Sequence, residues 1–173
     1  YQPQLVISDS QFLNSLPKRE IVCGYGEILK HSIISDKKFF NYLSKNISNI
    51  LKLDSPYIER AIYESCKIKR SIVEKDEKEK GLRKILNFGH TFAHAYEASM
   101  GYNNKLNHGE AVILGMTTAL NFSVRNYLLK KSEYKLILNH IDNIGLSLSL
   151  KKLFSQKNIK KIISFMIKDK KNN

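Results

Sequence analysis

The chain has 173 residues, 42% of them hydrophobic and 26% charged, enough to bury one proper core and too apolar for wholesale disorder. The net charge of +13 raises nucleic acid as a partner. Yet 24 of the 29 basic residues are lysine, mostly single on solvated helix faces, which argues against that partner. No apolar run approaches the ~18 residues of a membrane span, and Cys23 and Cys66, without CxxC spacing or a secretory signal, fit a reducing cytoplasm.

Leu5, Val6 and Ile7 are apolar and largely β-branched and predict a short strand. The sequence opens without methionine on this run, so it reads as a piece whose upstream partner lies elsewhere. A short helix over 9–16 follows, which Pro17 helps to end. From there the periodicity is helical. Residues 19–34 carry Ile21, Tyr25, Ile28 and Leu29 on one face, and Gly24 and Gly26 suggest backbone close to another element. Residues 37–51 repeat Phe39, Phe40, Leu43, Ile47, Ile50 and Leu51, and Asp54-Ser55-Pro56 starts a helix over 57–73.

The block EKDEKEKG, ending at Gly81, reads as a solvated helix end or loop. Residues 82–99 form a histidine segment with an exit turn at 101–105. Residues 110–128 are apolar on several sides and so central, and 133–144, 148–154 and 159–168 make three short helices. The fold class expected is mainly α, a bundle of about eight helices with one residual N-terminal strand.

Residues 83–108, RKILNFGHTFAHAYEASMGYNNKLNH, hold three of the five histidines. A helix puts His90 and His94 on one face, one turn apart, where both imidazoles reach a common centre. A catalytic zinc usually has three protein ligands and an open position. His90, His94 and His108 offer nitrogens, and Glu27, Glu97 and Glu110 offer carboxylates; spacing alone leaves open which of them bind. Thr91 stands where the zincin motif needs glutamate, so HxxxH here is no metalloprotease signature.

Glu27, Lys30 and His31 share a helix face, which as a plain surface ion pair is worth only ~0.5 kcal/mol. Lys67, Lys69, Arg83, Lys84 and Asn87 add donors. Arg83 and Asn87, one turn apart before His90, suit a substrate with carboxylate, phosphate and hydroxyls. There is no GxGxxG, GxxxxGKS or GxSxG, so any nucleotide is held mainly elsewhere.

Five linked motifs, LPKREIVCGYGEILK, IKRSIVEKDEKEKGLR, LNFGHTFAHAYE, HGEAVILGM and a terminal DKK, make the chain resemble the C-terminal domain of the 3-dehydroquinate synthase family over essentially its whole length. The resemblance implies a helical metal- and substrate-binding domain over 17–173, with 1–16 as connecting segment and tail of a missing N-terminal NAD domain. It implies Glu27, His90 and His108 as ligands of Zn2+ or Co2+ and moves His94 from ligand to catalytic or substrate-binding residue. By the same resemblance Lys30, Lys69, Arg83, Asn87 and Lys170 hold the substrate, and Phe12, Leu13, Asn14 and Ser15 touch NAD.

Gly26 departs from the commoner alanine, and the turn before His108 is about a residue longer than in close relatives. The family reaction implied is NAD- and metal-dependent conversion of a seven-carbon phosphorylated keto acid, 3-deoxy-D-arabino-heptulosonate 7-phosphate, to 3-dehydroquinate with loss of phosphate, in a cytoplasmic homodimer. A hydride acceptor must sit within ~3.5 Å of the reacting carbon, so the chain on its own is expected to be inactive. The alternatives are another sugar-phosphate cyclase, such as 2-deoxy-scyllo-inosose synthase, and an inactive truncated helical module.

Overall fold

The computed structural model describes residues 3–146 and 149–171, apart from the side chains of Lys170 and Lys171. Eight α-helices follow one another among these residues: α1 (Lys18–Ser35), α2 (Lys37–Leu51), α3 (Tyr57–Lys75), α4 (His90–Met100), α5 (His108–Arg125), α6 (Lys131–Asn143), α7 (Leu150–Leu153) and α8 (Ile159–Lys171). Three 3-10 turns, Ser10–Ser15, Leu82–Asn87 and Gln156–Asn158, complete the regular structure. The helical bundle is as the periodicity implies.

The strand is not. Leu5, Val6 and Ile7 are 70–82% exposed and lie outside any regular element, because a strand exists only against a partner ladder and no strand is present among the described residues. The 9–16 helix is a 3-10 turn, entered at Asp9, whose carboxylate accepts from the Gln11 N–H. Asp36 separates α1 from α2 and accepts from the N–H groups of Lys38 and Phe39, satisfying donors that a helix start leaves open. No described helix is long and apolar enough to cross a membrane.

At the centre runs α5. Ala111, Val112, Ile113 and Met116 are fully buried, each of the larger ones contributing ~1.5–3 kcal/mol of apolar burial. It packs against α1 on one side and α4 on the other; α8 covers α4, α2 and α3 support α1, and α6 lies on α5. Leu29 of α1 and Leu43 and Ile50 of α2 close the second half of the core.

The histidine segment is two pieces and not one. Gly89 has φ +83°, a left-handed conformation that ends the 3-10 turn and lets α4 begin at His90. Of the two α1 glycines, Gly26 lies close to another element, but a Cβ on Gly24 would meet nothing within 4 Å.

Candidate metal centre

Three helices meet where glycines allow their backbones to touch. A Cβ on Gly109 would collide with the Cys23 backbone, and one on Gly26 would stand 2.9 Å from Ile113 Cγ1, so α5 lies directly on α1. A Cβ on Gly115 would collide with the Gly89 carbonyl, and one on Gly89 would stand 2.7 Å from Met116 N, so the start of α4 lies directly on α5. Each of these crossings carries a candidate ligand next to its glycine: Glu27 after Gly26, His90 after Gly89, His108 before Gly109. One donor atom from each of Glu27, His90 and His108 lies within 4.8 Å of the others.

Glu27 tests whether the site fits a cation. Its Oε2 accepts from Lys30 Nζ at 2.7 Å, while Oε1 is buried and receives no hydrogen bond from any described residue; His90 Nε2 stands 3.8 Å away. An ionised oxygen left so costs more than the ~1–3 kcal/mol of a neutral unsatisfied group. Burial pushes the Glu27 carboxyl up, but the hydrogen bond and charge of Lys30, with His90 adding, hold it below the ordinary value. A divalent cation would satisfy such an oxygen.

Both imidazoles suit the same ion. Burial lowers the His90 pKa, and the Lys30 charge lowers it further against the pull of Glu27, which favours the neutral ring a metal needs. His90 Nδ1 lies 3.4 Å from the Phe88 carbonyl, and His108 Nδ1 lies 3.1 and 3.3 Å from the two Glu97 oxygens. Nε2 is therefore the nitrogen left to bind on each ring. His94 stands beside this pair, its ring centroid 5.6 Å from His90 and 6.2 Å from His108 in a stacked arrangement, with Nδ1 on Asp169 at 3.2 Å.

Geometry thus sorts the three carboxylates that spacing left open. Glu27 joins the ligand cluster and Glu97 stands behind His108. Glu110, 4% exposed, is taken by Arg19 through two hydrogen bonds of 2.6 and 2.7 Å and by the Asn107 N–H.

The other candidates are placed as follows. Lys30 is 3% exposed, with Nζ on Glu27; burial holds its pKa below the ordinary value although Glu27 raises it. Lys69 is exposed on α3, and its charge adds to the effect of burial on Lys30 and His31. Arg83 Nη1 donates to the Glu77 carbonyl at 2.7 Å, and Asn87 Nδ2 to Glu79 Oε1 at 2.7 Å. Both are held by the 76–81 loop, which folds around Asp76 as its carboxylate accepts from the Lys80, Gly81 and Arg83 N–H groups. The charged block is thus a helix end and loop, as its composition implies, with the loop folded around Asp76.

Phe12, Asn14 and Ser15 are exposed on the first 3-10 turn, with Ser15 Oγ donating to the Phe12 carbonyl. Leu13 turns inward and lines a mainly apolar cavity of about 230 Å³ with Leu16, Ile21, Tyr25 and Ile50. The Lys170 side chain lies outside the described residues. Asp169 was not singled out from sequence, since nothing local marks a carboxylate whose partner, His94, is 75 positions away.

Fold and site together define a domain that is helical throughout the described residues, with a carboxylate–bis-imidazole cluster at a three-helix junction that could hold a metal ion. Residues 24–172 match the family model described as 3-dehydroquinate synthase C-terminal, and the chain belongs to that family. It is 63% identical to the 3-dehydroquinate synthase of Pelagibacter ubique over 173 residues, covering 100% of this chain and 47% of that protein. Against the 3-dehydroquinate synthase of Desulforamulus reducens it is 42% identical over 171 residues, covering 99% and 46%. The chain spans about half the length of the curated relatives it matches.

Among solved structures it resembles 2-epi-5-epi-valiolone synthase of Streptomyces hygroscopicus subsp. jinggangensis, a structure with NAD+ and Zn2+ bound. The TM-score is 0.79 at 21% identity, covering 93% of this chain and 44% of that one. That likeness is one of fold.

Proposed function

We propose that this chain is the metal- and substrate-binding part of a 3-dehydroquinate synthase. Its reaction takes 3-deoxy-D-arabino-heptulosonate 7-phosphate to 3-dehydroquinate with release of phosphate, on the shikimate route to chorismate and the aromatic amino acids. The observation that carries this reading is the orphaned Glu27 Oε1 beside His90 and His108, in a chain of this family.

A bound zinc or cobalt ion supplies a Lewis acid for negative charge on substrate hydroxyls, and bound NAD supplies a reversible hydride acceptor. Glu27, His90 and His108 would hold the ion, and Lys30 engages one Glu27 oxygen while the other is left without a hydrogen bond from the described residues. His94 moves a proton at Nε2, with Asp169 holding Nδ1 and so fixing the tautomer. Lys69, Arg83, Asn87 and Lys170 bind the carboxylate, hydroxyls and phosphate; for this Arg83 and Asn87 exchange their Glu77 and Glu79 acceptors for substrate oxygens. Phe12, Asn14 and Ser15, exposed on the first 3-10 turn, meet NAD from this side, with Leu13 anchoring the turn from beneath, and residues 1–16 connect to the domain that holds the rest of it. The free thiols Cys23 and Cys66 agree with a cytoplasmic protein, and a homodimer is the assembly proposed.

The test is turnover by the gene product that carries this chain with an NAD-binding domain. Formation of 3-dehydroquinate and phosphate, dependent on NAD and a divalent ion and lost in Glu27→Gln, supports the reading. Turnover of another cyclase's phosphorylated substrate in place of this one overturns it. The chain assayed without an NAD-binding domain is expected to be inactive.

A further inference from the structure

We infer that Glu97 is a positioning residue of the metal centre: its carboxylate fixes the ring of His108 and thereby sets how tightly a divalent cation is held. This rests on the reading of Glu27, His90 and His108 as ligands and adds a side chain that this reading does not use.

The need for such a residue follows from where the ligands stand. The His90 side chain is 16% exposed, so packing restricts its ring. His108 is the first residue of α5 and 52% exposed, so packing alone selects no ring orientation. A hydrogen bond can select one. Glu97 is on α4, 13% exposed, and both its oxygens lie within 3.3 Å of His108 Nδ1. That imidazole is its one side-chain hydrogen-bond partner among the described residues.

A carboxylate this buried is costly unless paired, so the pair is mutually locked. With Nδ1–H donating to Glu97, His108 presents the Nε2 lone pair in one fixed tautomer and ring orientation.

Charge points the same way. Part of the Glu27 charge is drawn off by Lys30 at 2.7 Å, and two imidazoles add none. A second carboxylate one residue behind the ion compensates a divalent charge that the ligand set alone leaves uncovered. Glu97 does not act as a ligand itself, since its oxygens are not part of the ligand-atom cluster. Nor does it serve His94, which has Asp169.

The experiment titrates zinc into the full 173-residue chain against a chromophoric chelator, comparing wild type with Glu97→Gln and Glu97→Ala and using Glu74→Gln, at an exposed surface pair, as control. Cobalt absorption reports the ligand set, and circular dichroism the fold. Glu97→Ala is expected to weaken zinc about 10–100-fold and Glu97→Gln by less, with an unchanged cobalt band and an unaffected control. Should Glu97→Ala not fold, the near-isosteric Glu97→Gln decides by the same criterion, a loss beyond about threefold.

Affinity equal to wild type in both variants overturns the inference while leaving the ligands standing. So does a cobalt band that shifts as if a ligand were lost. A wild-type chain that binds no zinc overturns the ligand reading itself, and the inference with it.

Discussion

The Tyr25 hydroxyl and His140 Nε2 lie 2.8 Å apart in the core, tying α1 to α6, while His140 Nδ1 meets Ser44 Oγ of α2 at 3.0 Å. The ring stands between Tyr25 and Phe40, 4% exposed, with hydroxyl groups and no carboxylate as its hydrogen-bond partners. Burial lowers its pKa to about 4. Because the unfolded ring titrates near 6.5, the unfolded state binds the extra proton first as pH falls. Stability is therefore full above about pH 6.5 and declines towards pH 4, by at most about 3 kcal/mol from this group. Urea midpoints at pH 7 and pH 5 check it: His140→Gln should show a shallower pH slope than wild type.

The glycine crossings give two opposite expectations. Gly109→Ala drives a methyl group into the Cys23 backbone, which cannot yield as a side-chain tip can, so the domain should lose at least about 2–3 kcal/mol and zinc binding should weaken. Gly24→Ala meets nothing within 4 Å inside α1 and should stabilise by about 0.5–1 kcal/mol. Thermal melts of the two variants, with zinc stoichiometry for the first, decide.

Arg19→Ala removes both side-chain donors that Glu110 receives from α1 and leaves a buried carboxylate with the Asn107 N–H. The Arg19 side chain is 42% exposed, so solvent takes up part of the loss, and about 2 kcal/mol is expected by denaturant titration. The Asn104 carbonyl loses its Arg19 partner in the same variant, so protease cleavage near Asn104 should also quicken.

On the proposed function, His94 and Asp169 serve the chemistry while Glu27, His90 and His108 hold the metal. His94→Ala should lower turnover of the complete enzyme by about 10²–10⁴-fold with zinc affinity near wild type. Asp169→Asn should have a smaller effect on kcat, since Nδ1 keeps an acceptor and loses its charge. Steady-state kinetics beside a zinc titration distinguishes these outcomes from loss of the site.

Much of this was readable from residue order. The apolar repeat over 37–51 gives the helix Lys37–Leu51 because its apolar side chains recur with the helical period and Asp36 caps it. Motif resemblance points to Glu27, His90 and His108, whereas periodicity alone favours His90 with His94; the cluster of close donor atoms joins His90 to Glu27 and His108. What escaped depends on distance along the chain or on backbone torsion. Arg19 meets Glu110 across 91 positions and Asp169 meets His94 across 75, and no local pattern encodes either. The break at Gly89 needs a positive φ, which glycine permits without announcing. Leu5, Val6 and Ile7 have strand composition, but composition supplies no neighbour to pair with.

The helices that carry Glu27, His90 and His108 touch main chain to main chain, so the gaps between the three donor atoms are set largely by atoms every residue has. Surrounding side chains can drift towards lysine and isoleucine without moving the centre, whereas one added methyl at Gly109 moves it at once. Tolerance to change in this domain should therefore be lowest at Gly89, Gly109 and Gly115, which contribute no side chain at all.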